Sequence, residues 1–174
     1  MGLKLFDINW MDIKAGQKWA SENKSKSNEI AEICCSFSGA GNVLGLRLSP
    51  LENIKWIEDA LASARQINNR DAEESLLGNL GPAYFHLGEP QKAIEYTKLA
   101  LKISRDIGNH WGEGMHLDNL GMAYFYLGNP HKAIKCYKLA LKISREIGNQ
   151  RGEGNCLGNL GIAYSHLGNP HKAI

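Results

Sequence analysis

A proline recurs every 40 residues in this chain, at Pro50, Pro90, Pro130 and Pro170. Around the last three the sequence is nearly the same: NLGPAYFHLGEPQKAI, NLGMAYFYLGNPHKAI and NLGIAYSHLGNPHKAI. A fixed period of this length predicts one supersecondary unit per copy, stacked in tandem, because a single unit cannot bury its apolar surface alone. We divide the chain into a capping or linker helix, a degenerate first repeat, two full repeats and an incomplete one: 1–27, 28–69, 70–109, 110–149 and 150–174.

Each copy is predicted to be two helices separated by a turn. Gly128 suits a left-handed helix end, Asn129 an N-cap and Pro130 a first helical turn, where a missing N–H costs no hydrogen bond. Gly-Asn pairs at 108–109 and 148–149 repeat the stop, which leaves segments of about 16–18 residues. Apolar residues of the second segment recur at steps of three and four: Ala133, Ile134, Tyr137, Ala140, Leu141, Ile143 and Ile147. The predicted fold is all-α, built from tandem helical hairpins.

Composition excludes several classes of partner. The 174 residues are 43% hydrophobic, and 20 Lys and Arg against 18 Asp and Glu give a net charge of +2. A balance so close to neutral creates no strong field that would recruit nucleic acid, an anionic membrane or an acidic substrate. No apolar run approaches the ~18 residues of a membrane span and no signal segment opens the chain, so we expect no membrane partner and a cytoplasmic location.

The repeated residues resemble a known family. Leu80 and Gly81 followed by Tyr84, and then by Ala93 and Ala100, are similar to the signature of the tetratricopeptide repeat. The 40-residue spacing with N-L-G and I-G-N resembles the longer variant of that repeat. The resemblance implies a right-handed superhelical solenoid, whose concave groove is lined by the first helix of each hairpin, and a role in protein interaction.

Two residues depart from the pattern. Thr97 stands where the next copy has Tyr137, and Pro82 lies inside the predicted first helix where later copies have Met122 and Ile162. Proline removes a backbone donor and crowds the preceding turn. We therefore expect a kink or a late helix start at Pro82.

Residues 1–27 lie outside the repeat and admit two interpretations. FDINWMDIKAGQKWASEN predicts one amphipathic helix, followed by a polar connector over 23–27, with its apolar side chains at Phe6, Ile8, Trp10, Ile13 and Trp19. It could cap the first repeat. Alternatively, DINWMDIKAGQKWA with SPLENIKWIEDAL resembles the stretch that joins the nucleotide-binding core to the repeats in bacterial signalling ATPases of the STAND type, which implies a sensor fragment of a larger protein.

No motif for catalysis, cofactor binding or metal binding stands out. The chain lacks a G-x-x-x-x-G-K-[ST] loop, and the glycine-rich stretch 39–45 has the wrong spacing and no preceding strand pattern. His86 and His166 occupy equivalent positions of separate copies, and His110 and His116 lack the helical spacing of a zinc pair. We predict a non-enzymatic chain with no cofactor and no metal.

The copies differ from one another on one face of the first segment. Five positions vary, three or four residues apart: Asp71/Trp111/Arg151, Ser75/Met115/Asn155, Gly78/Asp118/Gly158, Pro82/Met122/Ile162 and His86/Tyr126/His166. Stacking constrains residues that recur, so a face that varies is available for ligand recognition. Drift on a solvated surface is the alternative.

An asparagine follows the third varying position in every copy, at Asn79, Asn119 and Asn159. A primary amide donates and accepts, so a ladder of amides can hold the backbone of an extended peptide, and the resemblance implies such a ladder. The alternative is that each asparagine bonds a neighbouring helix and holds the stack. The predicted groove contains these three residues and Ser75, Pro82, Phe85, His86, Met115, Asp118, Met122, Phe125, Tyr126, Asn155, Ile162 and His166.

We therefore predict a scaffold that binds an extended peptide or partner segment in a concave groove, as a sensor or regulatory fragment of a larger signalling protein. Two alternatives stay open. The chain could be the regulatory arm of an NTPase or effector enzyme whose catalytic domain lies outside it. It could also self-associate through the incomplete hairpin at 170–174.

Overall fold

The structure, a computed structural model, describes residues 9–38 and 48–168, and every regular element in these ranges is helical. The helices are α1 Trp10–Asn23, a 3₁₀ turn Lys24–Lys26, α2 Asn28–Ser38, α3 Pro50–Gln66, α4 Arg70–His86, α5 Pro90–Ile107, α6 His110–Tyr126, α7 Pro130–Glu146 and α8 Gln150–His166. The predicted all-α fold of tandem hairpins is confirmed. The chain divides into two compact units, Met1–Leu76 and Leu77–Ile174, with the boundary inside α4.

The helices end where the glycines predict. Gly108, Gly128 and Gly148 have φ values of 73°, 72° and 69°, a left-handed backbone that glycine adopts without strain. Asn109 and Asn149 then cap α6 and α8, their side chains accepting hydrogen bonds from the backbone N–H of the residue three positions on.

Asn129 is the N-cap residue of α7, as predicted, but its side chain makes no cap hydrogen bond. Its side-chain Nδ2 donates to the carbonyl of Leu127 over 3.1 Å, and no side-chain bond reaches the first turn of the helix. The backbone angles at Asn129 are φ −111° and ψ 62°, whereas they are −79° and 81° at Asn109, whose side chain does cap its helix.

A late start of α4 at Pro82 is also wrong. The helix begins at Arg70 and continues through Pro82 to His86. Its start is fixed upstream, where the side chain of Asn69 accepts a hydrogen bond from Ala72 N over 3.0 Å. Pro82 lies near the C-terminal end of α4, and the helix continues although proline has no backbone N–H to donate.

Small residues let the paired helices approach closely. A Cβ added to Gly121 in α6 would overlap the ring of Tyr137 in α7. In the preceding hairpin Gly81 faces Thr97 in the same way, and the buried Thr97 Oγ1 donates to Ala93 O over 2.7 Å. The departure at Thr97 is therefore a smaller side chain whose hydroxyl is satisfied within its own helix.

An ion pair recurs at each passage from one copy to the next. Arg105 Nε lies 2.6 Å from Glu113 Oε1, and Arg145 Nε lies 2.7 Å from Glu153 Oε1. The glutamates sit in the first turns of α6 and α8, where the helix dipole favours a negative charge. Arg65 and Glu73 repeat the arrangement at 2.8 Å within the unit Met1–Leu76.

In the unit Met1–Leu76, α1 packs against α2 and α3. The rings of Trp10 and Trp56 stack with centroids 6.1 Å apart, and Ile13 joins the same cluster. Trp19, expected on the apolar side of the helix, is 52% exposed. Phe6 and Ile8 lie outside the described residues, as do the glycine-rich stretch 39–45 and the hairpin at 170–174.

Candidate functional site

The first helices of the hairpins, α4, α6 and α8, carry side chains that are partly or largely open to solvent. Tyr126 and Ile162 are 69% and 60% exposed. We call this surface the first-helix face, and it comprises Pro82, Phe85, His86, Met115, Met122, Phe125, Tyr126, Asn155, Ile162 and His166.

Aromatic contacts connect this face from copy to copy. The ring of Phe85 lies 5.1 Å from that of Tyr126, edge to face, and Phe125 meets His166 in the same way at 5.4 Å. Edge-to-face contact is a favoured arrangement for aromatic pairs. The same two positions thus line the face at both junctions between copies.

Between the aromatic pairs lie two clefts. One, of about 40 Å³, is bordered by Pro82, Asn119 and Met122, and the other, of about 180 Å³, by Met122, Asn159 and Ile162. Each cleft therefore combines one of the predicted asparagines with residues that vary among the copies. The larger could admit an apolar side chain.

A third cavity, of about 330 Å³, lies in the N-terminal halves of α6 and α8. We call it the polar cavity, after the charged groups in its walls. It is lined by residues of three helices and a turn: Trp111, Gly114, Met115, Asp118, Ser144, Asn149, Arg151, Gly152, Asn155 and Cys156. Its walls combine an exposed indole and a thioether with a carboxylate and a guanidinium. Such a mixture of apolar walls and a few polar groups is typical of a binding site.

Asp118 and Cys156 are the two groups of this cavity whose pKa is shifted. Burial raises the pKa of the Asp118 carboxyl, and hydrogen bonds from Asn159 and Cys156 offset only part of the effect. Asn159 Nδ2 donates to Asp118 Oδ1 over 2.9 Å, and the Cys156 thiol approaches the same oxygen at 3.8 Å. Burial and the neighbouring carboxylate raise the pKa of Cys156 to about 12, so its thiol stays protonated and unreactive at neutral pH.

The three asparagines of the predicted ladder are not equivalent. Asn159 bonds a neighbouring helix, as the stacking alternative supposed. Among the described residues, none hydrogen-bonds the side chains of Asn79 or Asn119. Ser75 belongs to the unit Met1–Leu76, where its hydroxyl lies 3.5 Å from Glu74 Oε2.

The varying position at 78 and 118 faces the next copy. A Cβ on Gly78 would overlap the imidazole of the fully buried His116, and in the next copy Asp118 meets Cys156, the equivalent of His116. The variation at this position therefore goes with contacts that are matched between copies. Nothing in the sequence of one copy signals this pairing.

Sequence reasoning noted that positions 111 and 151 vary but left them out of the predicted groove. Trp111 and Arg151 both line the polar cavity and both are exposed. Within the described ranges, no three His, Cys, Asp or Glu side chains gather closely enough to hold a metal ion. None of the described helices is both long and apolar enough to cross a bilayer.

Two family models of the tetratricopeptide repeat match the chain, over residues 74–107 and 113–174. Together they cover more than half of it and coincide with the hairpins from α4 onward. The chain belongs to the tetratricopeptide repeat family. Repeats of this family generally mediate protein–protein interactions and typically form scaffolds without catalytic groups. Comparison with curated proteins gives no match.

Several solved structures share the tetratricopeptide fold. The repeat domain of Arabidopsis FLU is 24% identical, with a TM-score of 0.58 over 60% of this chain and 87% of that one. BtubC of P. vanneervenii is 18% identical, with a TM-score of 0.73 over 99% and 70% of the two chains. A signal transduction ATPase with numerous domains (STAND) and a tetratricopeptide repeat sensor, from Pyrococcus horikoshii, is 20% identical, with a TM-score of 0.72 over 95% of this chain and 29% of that one. At these identities the likeness shows the fold.

Proposed function

We propose that this tetratricopeptide chain holds an extended segment of a protein partner along its first-helix face. The observation that supports it most is the position of the varying residues. Met115, Met122, Asn155 and Ile162 differ among the copies, yet all line clefts between successive first helices. A surface shaped by the residues that are free to differ is suited to recognition rather than to stacking.

The residues that line the clefts can make different kinds of contact with the partner. Met122 and Ile162 offer adaptable apolar contact to side chains of the partner. The amide of Asn119, which no described residue engages, can donate to and accept from the partner's backbone. Asp118 keeps its second oxygen available in the polar cavity, where a hydrogen-bond donor of the partner can reach it.

A peptide-display selection on the whole chain tests this proposal. Random 12-residue peptides are selected on the wild type and then measured against Met122→Lys on the face and Leu139→Lys on α7. Both residues are apolar and comparably exposed, at 40% and 49%, so the second variant controls for the added charge. We expect at least a tenfold loss of affinity for Met122→Lys and less than a twofold loss for Leu139→Lys. Failure to enrich any peptide, or equal losses in both variants, would contradict the proposal.

We further propose that the chain serves as a sensor or regulatory arm of a larger signalling protein in the cytoplasm. The similarity to the archaeal STAND protein supports this, because 95% of the present chain aligns with a protein whose repeats are described as a sensor. The test is a longer product of the same reading frame. If it hydrolyses nucleotide, peptides selected on the wild type should change its rate and Met122→Lys should abolish the change; a rate indifferent to those peptides would contradict a sensor role.

A further inference from the structure

A fourth cavity lies within the unit Met1–Leu76, outside the residues that the family models match. It measures about 480 Å³ and lies between α1 and α3. Lys14, Lys18 and Lys55 line it together with Glu52. Its walls include Met11 and Trp56, so the cavity is apolar at its sides and charged at its edge.

The charge around this cavity is positive. Three lysines and one glutamate give a net charge of +2 to the lining. Glu52 is already committed, since its carboxylate accepts from Ser49 N and from Lys14 Nζ, each over 3.0 Å, as part of the cap of α3. The charge of Lys55 acts on the carboxylate of Asp59, which is already paired with Lys24 over 2.8 Å, and Lys18 lies 3.9 Å from Glu22 with both side chains largely exposed. Two of the lysines are thus available to a ligand at little cost.

Gln17 gives the cavity a fixed polar group. The residue is only 5% exposed, it lines the cavity, and its amide hydrogen-bonds no described residue. The residue is largely buried, but its amide atoms are not cut off from solvent. They can therefore bond either water or a ligand that enters the cavity, and a ligand oxygen would take the place of the water.

We propose that the cavity between α1 and α3 binds a small organic dianion, whose charges are carboxylates or a phosphate ester. Lys18 and Lys55 pair with the anionic groups, the Nε2 of Gln17 donates to one of their oxygens, and Met11 and Trp56 contact the apolar part. This site is independent of the first-helix face, and either proposal can fail without the other.

The test is a ¹H–¹⁵N NMR titration of the whole chain with succinate and, separately, with glycerol 3-phosphate. Saturation by only one of the two compounds shows whether the cavity prefers carboxylates or a phosphate ester. We expect saturable shifts of the Gln17 side-chain NH₂ and the Trp56 indole N–H, with a dissociation constant of about 1 mM for the better ligand. No saturation up to about 50 mM of either compound would overturn the proposal.

Variants separate a built site from general attraction to lysines. Lys18→Gln with Lys55→Gln should weaken binding at least tenfold. Lys102→Gln with Lys142→Gln, which removes the same charge from exposed positions on α5 and α7, should weaken it less than twofold. Equal weakening would overturn the proposal in favour of nonspecific attraction.

Gln17→Leu removes the amide and leaves the charge unchanged. It should weaken binding at least tenfold, in keeping with the loss of a hydrogen bond to a charged group. Its melting temperature shows whether the fold survives. A folded Gln17→Leu variant that binds as tightly as the wild type would overturn the role given to the buried amide.

Discussion

Replacement of Asn159 by alanine tests whether the asparagine ladder serves binding or stacking. Asn159 Nδ2 donates over 2.9 Å to the carboxylate of Asp118 on the preceding first helix. A hydrogen bond to a charged group contributes about 1.5–3 kcal/mol, whereas alanine's higher helix propensity returns about 0.6 kcal/mol. The net loss is about 1–2 kcal/mol, which lowers the melting temperature of a chain of this length by about 3–6 °C.

Asn119→Ala is the matched control, because it makes the same change at the equivalent position of the preceding copy. The corresponding residue on the helix before it is Gly78, which has no side chain to accept a hydrogen bond. We expect the melting temperature of Asn119→Ala to stay level or rise by up to about 2 °C, while the affinity for peptides selected on the wild type falls. Calorimetry and circular dichroism at pH 7 measure both variants.

The reasoning is refuted if the two variants melt alike. A fall of equal size would mean that Asn119 also ties the helices together, and no fall in either would mean that the bond between Asn159 and Asp118 is negligible. A double-mutant cycle with Asp118→Ala isolates the pair, since the coupling should recover most of the loss measured for Asn159→Ala.

Two further predictions concern packing and pH. Gly121→Ala should lower the free energy of unfolding by about 1–3 kcal/mol, because its methyl group meets the ring of Tyr137, whereas Gly154→Ala, with nothing near its Cβ, should raise it by about 0.4–1 kcal/mol. Denaturant unfolding checks the pair, and a destabilised Gly154→Ala would contradict the assignment of open space. Asp118→Asn should be more stable than the wild type at pH 7, since the folded pKa of Asp118 is raised and the wild type loses stability as pH rises from its unfolded value of about 3.8 through the folded pKa. The gap measured by thermal unfolding should disappear below pH 3.8, and a gap that persists there would disprove this origin.

The hairpins could be predicted from the sequence because their punctuation is local. Gly108 and Gly148 end one helix, the asparagines after them cap the next, and Pro130 opens another, so each boundary depends on two or three adjacent residues. Such signals need no knowledge of tertiary contacts. The 40-residue period then predicts the stacking, because similar hairpins in tandem bury their apolar faces against one another.

The details of the candidate site could not be predicted, because they arise between copies. The bond from Asn159 to Asp118 joins residues 41 positions apart, and no spacing rule connects an asparagine with a carboxylate at that separation. The side-chain bond of Asn129 was not predicted either, but the reason there is local, because its amide donates to the carbonyl of Leu127, two residues before it, and makes no cap bond to α7.

The pairing of position 78 with the residue that faces it limits what variation among repeats can reveal. Gly78 is small where His116 is large and fully buried, and Asp118 faces Cys156 where the thiol can approach its carboxylate. When two facing residues differ together from one junction between copies to the next, their variation is explained by the packing of neighbouring copies and gives no information about a ligand. By contrast, Met122 is 40% exposed and lines both clefts of the first-helix face. Residues that vary among the copies without being matched to a facing residue are therefore the better guide to a binding surface. In this chain they lie in the clefts beside Met122, and not only at the carboxylate of Asp118.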